Sequence, residues 1–143
     1  RKITMYFAKK ILGSKDILYL GNLNAKRDWG HAREYVKAMW LMLQQKTPED
    51  FVISTGKQFS VKYFVNMVAK LLNMKISWKG NGINEKAYDI NKKVIVACDK
   101  AYYRPLEVNT LLGSSKKALN KLKWRPKTDL KKLIIEMINE EMK

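Results

Sequence analysis

Apolar positions along the chain recur at two spacings, and the switch between them divides it into elements. Ile3, Tyr6, Phe7, Ala8, Ile11 and Leu12 repeat at helical intervals, which predicts a helix over residues 3–12 that Gly13 ends. Residues 17–20 form a short apolar run closed by Gly21-Asn22 and predict a strand. The strongest period follows. Ala32, Tyr35, Val36, Met39, Trp40 and Leu43 fall at i, i+3, i+4, i+7, i+8 and i+11, one apolar face of a helix. That face is expected to be buried and to fix the polar turn before it. Residues 51–53 predict a second buried strand ending at Ser54-Thr55-Gly56, and Ser60 is placed to cap a helix with Val61, Phe64, Val65, Val68 and Leu72 inward. Residues 76–78 predict a third strand, running into Gly80-Asn81-Gly82 and a polar loop to about residue 93, and residues 94–98 a fourth. The stretch 99–108 fits no regular element, with Pro105 biasing Arg104 toward extended backbone. Ser114 or Ser115 caps a short helix carrying Ala118, Leu119 and Leu122. Trp124 and Pro126 separate it from a last helix, capped at Thr128 or Asp129, with Leu130, Leu133, Ile134, Met137 and Ile138 inward. Short strands alternating with helices predict a small mixed α/β lobe.

At 143 residues and 46% hydrophobic, the chain has material for one core, hence one domain. No apolar run approaches the roughly 18 residues of a membrane span, and no signal-peptide pattern opens the sequence, so a soluble cytoplasmic protein is expected. The single cysteine, Cys98, excludes a disulfide within the chain and reads as a buried strand thiol. A net charge of +16 raises a nucleic-acid reading, because a basic surface binds polyanions without reading sequence. The distribution opposes it: 24 of the basic residues are lysines scattered along the whole chain, and only five are arginines. Weight shifts to the arginines, whose planar forks grip phosphate bidentately.

Acyl transfer or hydrolysis would need a nucleophile with a base and an orienting group, and the one histidine, His31, stands in a helix's first turn, where it reads as a cap or a packing group. One His and one Cys cannot fill a zinc shell, so no metal is expected. Gly80-Asn81-Gly82 lacks the third glycine of a dinucleotide fingerprint and precedes no helical pattern. Tyr6 with Lys10 and Tyr88 with Lys92 have Tyr-x-x-x-Lys spacing, which chance supplies in a chain this rich in both residues. What remains is anion binding. Arg27, Asp28 and His31 open the strongest helix, where an anion meets free N–H groups that Asp28 is also placed to cap. Lys2, Arg27 and Arg104 are the candidate phosphate contacts, with Glu107 three residues past Arg104 as an acceptor for hydroxyl or amide edges.

Several segments, in order, carry a resemblance over nearly the whole chain: Arg1-Lys2-Ile3-Thr4, Leu18-Tyr19-Leu20-Gly21-Asn22, Ala25-Lys26-Arg27-Asp28-Trp29-Gly30-His31-Ala32, Glu49-Asp50-Phe51-Val52-Ile53, Tyr103-Arg104-Pro105, Glu107-Val108 and Thr110-Leu111-Leu112-Gly113. Together they resemble the GDP-mannose 4,6-dehydratase family of extended short-chain dehydrogenases. The resemblance implies that residues 1–143 are a carboxy-terminal GDP-sugar-binding domain with residual elements of the Rossmann domain. It further implies that NADP and all catalytic groups belong to an amino-terminal domain lacking here, so this chain alone is inactive. By matched position Lys2, Arg27 and Arg104 would face the diphosphate of GDP-mannose, and Glu107 the nucleotide hydroxyls or base. The parent enzyme would be a homodimer or homotetramer that oxidises the sugar at C4, eliminates water across C5 and C6, and returns the hydride at C6, the first step toward GDP-fucose or GDP-rhamnose. The alternatives are another nucleotide-sugar epimerase, dehydratase or reductase, or a noncatalytic basic module that binds nucleic acid. The chain departs from the family pattern at Asp99-Lys100-Ala101 and at Gly113-Ser114-Ser115-Lys116-Lys117.

Overall fold

The computed structural model describes residues 1–104 and 108–143. Helix α1 (Lys2–Ile11) leads into strand β1 (Leu18–Leu20), then the two-residue strand β2 (Lys26–Arg27) and helix α2 (Ala32–Leu43). Strand β3 (Phe59–Ser60) runs directly into helix α3 (Val61–Leu71), whose cap is the Ser60 hydroxyl accepting from the Tyr63 N–H. Strands β4 (Ser77–Lys79), β5 (Lys86–Tyr88) and β6 (Val94–Cys98) follow, then helices α4 (Lys116–Leu122) and α5 (Leu130–Glu141). The four-stranded sheet has the order β1-β6-β5-β4. Its β1–β6 pair is parallel, with Leu18 opposite Val96 and Leu20 opposite Cys98, and the other pairs are antiparallel. A separate ribbon pairs β2 with β3, and Lys26 makes one further bridge to Thr110.

Two cores hold these elements. The larger joins α1, α3 and α5 to the sheet through Phe7, Leu18, Val65, Val68, Ile95, Val96 and Ile134. Here the apolar periods read from sequence hold: Leu130, Ile134 and Ile138 are the buried stripe of α5, which Asp129 caps by accepting from the Lys132 N–H. The smaller core is Ala38, Ala118, Leu122 and Trp124, where α2 meets α4.

Around this smaller core the expectations fail in an informative way. Of the six apolar positions expected inside on α2, Val36, Met39, Trp40 and Leu43 are exposed at 58–82%. The buried side is Ala38, flanked by Tyr35, Leu41 and Met42. A helical period locates an apolar stripe but not its partner, and α4 offers only a narrow surface. Residues 51–53 join neither sheet: Phe51 and Ile53 turn into the smaller core and Val52 faces out, the alternation of a strand without ladder partners among the described residues. The expected loop before residue 93 instead contains β5, too short and too polar for alternation to reveal, with Ala87 alone fully buried. Residues 100–102, expected irregular, form one 3-10 turn capped by Asp99.

Tyr6 supplies a test of the larger core. Burial, assisted by the Asp16 and Asp89 carboxylates, pushes its phenol from the ordinary 10.0 up to about 12. The folded state thus favours the protonated ring, and stability is full below pH 10 and falls as pH rises toward 12. Tyr6→Phe, which forfeits the hydroxyl's bonds to the Asp16 carbonyl and the Leu18 backbone and keeps the ring, is expected to flatten that alkaline decline in urea midpoints measured from pH 9 to 12.

Candidate functional site

The parallel pair β1–β6 sends two loops from its carboxyl ends, residues 21–25 and 99–103, and ligands of open α/β sheets gather at such ends. The loops touch. A Cβ on Gly21 would lie 2.1 Å from the Tyr102 carbonyl oxygen, so only glycine fits that crossing. The Asp99 N–H donates to the Leu20 carbonyl, tying the second loop to the end of β1. The chain then turns at Asn22, whose side-chain oxygen accepts from the Asn24 N–H, and enters β2.

Arg27 is half-buried on β2, and one guanidinium nitrogen donates to the Lys26 and Val108 carbonyls, both at 2.8 Å. It therefore draws the segment after residue 107 against β2, helped by the Lys26 N–H donating to Asn109. Arg27, Asp28, Val52, Ser54, Leu111 and Gly113 line a cavity of about 310 Å³. Gly113 is required there, since a Cβ would sit 2.6 Å from that of Ser54. Ser54 is 5% exposed and its hydroxyl has no hydrogen-bond partner, which leaves an unengaged polar group in the cavity wall beside Arg27 and Asp28.

The other nominated residues are placed unequally. Arg104 is exposed, one residue past the loop that Asp99 starts. Glu107 lies outside the described residues. Lys2 is directed elsewhere: its ammonium donates to the Tyr19 carbonyl at 2.6 Å, stands 3.9 Å from the Tyr102 ring centroid, and lines a different cavity with Tyr6, Asp16 and Tyr19. The structure brings Arg27 to the segment after Glu107 and does not bring Lys2 to the Arg27 cavity.

Asp28 does not cap α2. Its carboxylate crosses to the turn before β3, accepting from the Thr55 N–H at 3.0 Å, the Thr55 hydroxyl at 2.5 Å and the Gly56 N–H at 2.9 Å. The cap of α2 is His31, whose Nδ1 accepts from the Arg33 N–H while Nε2 meets Glu136 at 3.0 Å. Both histidine nitrogens are thus occupied in structure, which agrees with reading it as a cap. Sequence reasoning missed Ser54 as a wall of the site and Thr55 as the partner of Asp28; the Ser-Thr-Gly run after an apolar segment was the available signal.

The remaining chemical candidates carry no reaction. Tyr6 has the raised pKa of a buried phenol, and the Cys98 thiol is pushed up by burial and by Glu85. Tyr88 ends β5, while Lys92 occupies a tight turn at φ 59°, so their spacing is not that of a helix face. Among the described residues no group of three His, Cys, Asp or Glu could hold a metal ion, and no helix is long and apolar enough to cross a membrane.

Residues 1–137 match the model of the family described as GDP-mannose 4,6 dehydratase. Over 99% of this chain, GDP-mannose 4,6 dehydratase of Dictyostelium discoideum is 50% identical and that of Homo sapiens 46%. The chain spans only about 40% of the length of these relatives. RMD of Pseudomonas aeruginosa, solved with NADPH, superimposes on 98% of this chain with a TM-score of 0.74 at 13% identity, covering 41% of its own length. dTDP-glucose 4,6-dehydratase of Bacillus anthracis, solved with NAD, superimposes on 97% with a TM-score of 0.68 at 18% identity, covering 38%. At these identities the two structures speak to fold alone, a mixed α/β lobe. By sequence over nearly its entire length, this chain belongs to the GDP-mannose 4,6-dehydratase family.

Proposed function

We propose that this chain is the GDP-mannose-binding part of an NADP-dependent GDP-mannose 4,6-dehydratase, which converts GDP-mannose to GDP-4-keto-6-deoxymannose and water. The observation that carries the reading is the match to relatives of that name along 99% of the chain, over only about 40% of their length. Arg27 is the principal diphosphate contact, held on the β2 ribbon beside the carboxyl ends of β1 and β6. Arg104 supplies the second cation from the following loop, and Glu107 accepts from nucleotide hydroxyls or base. Lys2 serves this site only by leaving the Tyr19 carbonyl.

The chain's own residues bind and orient; they do not perform the hydride transfer. The described residues do not fit NADP, because Gly80 and Gly82 lie in the connection between antiparallel strands β4 and β5, where only the three-residue 3-10 turn Gly82–Asn84 follows and no α-helix starts to receive a pyrophosphate. The cofactor and the catalytic groups then reside in the part of the parent enzyme that this chain does not span. The same division accounts for the exposed stripe of Val36, Met39, Trp40 and Leu43 and for the unpaired residues 51–53: residual elements of the Rossmann domain whose partners lie in that part. On this reading the parent is cytoplasmic and a homodimer or homotetramer.

Titration of GDP-mannose into the chain tests the binding role. Saturable binding is expected, displaced by GDP and weakened about 10- to 100-fold by Arg27→Ala or Arg104→Ala, in keeping with roughly 1.5–3 kcal/mol for a charge-assisted bond to phosphate. Binding to arbitrary DNA or RNA that falls steeply with salt and ignores both substitutions would instead establish a basic nucleic-acid module.

A further inference from the structure

A second cavity, also of about 310 Å³, lies between α2 and the segment joining α4 to α5, away from Arg27. Four cations surround it: Lys37 from α2, and Lys123, Arg125 and Lys127 from the connecting segment. We propose that this cavity binds a compact phosphate-bearing anion of the diphosphate class, independently of the nucleotide-sugar site.

The cations converge there for a structural reason. From residue 122 to 127 burial alternates, with Leu122 and Trp124 buried and Lys123, Arg125 and Lys127 exposed, so the three cations share one side of the segment. The segment is held in that attitude at several points. Lys123 adopts a left-handed conformation at φ 54° that ends α4, and the Trp124 N–H returns to the Ala118 carbonyl. The Trp124 indole N–H donates to the Glu34 carbonyl at 2.9 Å, and the Lys127 and Thr128 N–H groups donate to one Glu34 carboxylate oxygen at 3.0 and 3.1 Å. Pro126 holds Arg125 to extended backbone. A guanidinium among three ammonium groups, carried on a backbone that the anchored Trp124 indole holds in place, suits a multivalent oxyanion.

Charge alone does not distinguish this place in a chain of net charge +16. Its distinction is that the cations converge on one concavity without an ion-pair partner among the described residues. Lys117 and Lys121 pair with Glu49, Arg33 with Glu136 and Lys62 with Glu85. Lys37, Lys123, Arg125 and Lys127 make no ion pair among the described residues. The one carboxylate in the wall, Glu34, turns one oxygen to the Lys127 and Thr128 donors, and its other oxygen is buried without a hydrogen-bond partner. The volume is at the small end of ligand sites, which suits a diphosphate group better than the continuous track a polynucleotide needs.

Inorganic pyrophosphate titrated into the 143-residue chain, followed by amide and indole NMR signals, decides the matter. Saturable shifts are expected at the Trp124 indole and at residues 123–127, with affinity read at those signals reduced at least tenfold in the exposed double substitution Arg125→Gln, Lys127→Gln and unchanged in the charge-matched exposed double substitution Lys15→Gln, Lys46→Gln. Equal affinity in the Arg125→Gln, Lys127→Gln variant, an equal loss in the charge-matched variant, or saturation only by an RNA oligonucleotide would each overturn the proposal. Dispersed spectra from both variants confirm that any loss is local.

Discussion

Asp28→Ala is expected to lower stability by about 3 kcal/mol and, on the proposed function, to weaken GDP-mannose binding at least tenfold. The carboxylate accepts three hydrogen bonds from one turn, two of them from backbone N–H groups, of which that of Thr55 is part-buried. Bonds to a charged acceptor contribute roughly 1.5–3 kcal/mol each, and an orphaned donor costs about 1–3, so even half-buried geometry leaves a loss near 3. The binding effect follows from position. Asp28 lines the cavity together with Arg27 and Ser54, so losing its carboxylate and releasing the turn that follows Ser54 loosens one wall of it. Asp28→Asn is expected to cost nearly as much, since one carboxylate oxygen faces the Thr55 donors and the other Gly56, and an amide nitrogen must oppose one of them. Thr55→Val removes one of the three bonds and is expected to cost about 1 kcal/mol. Urea midpoints for the three variants check the order; an Asp28→Ala midpoint matching the unsubstituted chain would sink the strut role.

The contrast between what Asp28 was expected to do and what it does shows where sequence stops. An aspartate just before a helical period is a cap by local rules, yet the turn at Thr55 lies 27 residues away and competes for the same carboxylate with three donors at once. His31 then takes the cap, two residues from Arg33. Long-range partners of polar groups leave no period in the chain. Apolar periods do, and α1, α3 and α5 could be placed from them because each buries one stripe in a shared core. On α2 the same rule found the helix and mistook its inner face: the stripe of Val36, Met39, Trp40 and Leu43 is larger than the Ala38 side that packs on α4. Strand β5 was illegible for a different reason, because three residues with one buried alanine give no alternation to read. Among the site residues, Arg27 could be singled out because arginine is scarce and this one opens the strongest helical period. That its guanidinium bonds to Val108, 81 residues on, could not.

Glu34→Ala is expected to be comparably damaging, about 3 kcal/mol, through a contact between elements 90 residues apart. One carboxylate oxygen accepts from the Lys127 N–H, the Thr128 N–H and, at 2.9 Å, the Thr128 hydroxyl, and so fixes the entry to α5. Alanine leaves those donors without their acceptor beside Trp124, which is 3% exposed and whose indole still bonds the backbone carbonyl of residue 34. Glu34→Gln separates bonding from charge. The second carboxylate oxygen is buried without a hydrogen-bond partner, so an amide can keep the accepting oxygen where three donors need it and place its nitrogen where nothing is lost. A cost under about 1 kcal/mol is therefore expected for glutamine against about 3 for alanine, read from thermal or urea midpoints. Equal costs would mean that the negative charge, at the start of α2 and beside four cations, does the stabilising rather than the hydrogen bonds. The same pair bears on the basic cavity: glutamine removes its one carboxylate while holding the segment 123–127 in place, and pyrophosphate affinity is expected to rise, whereas alanine frees the segment and affinity is expected to fall.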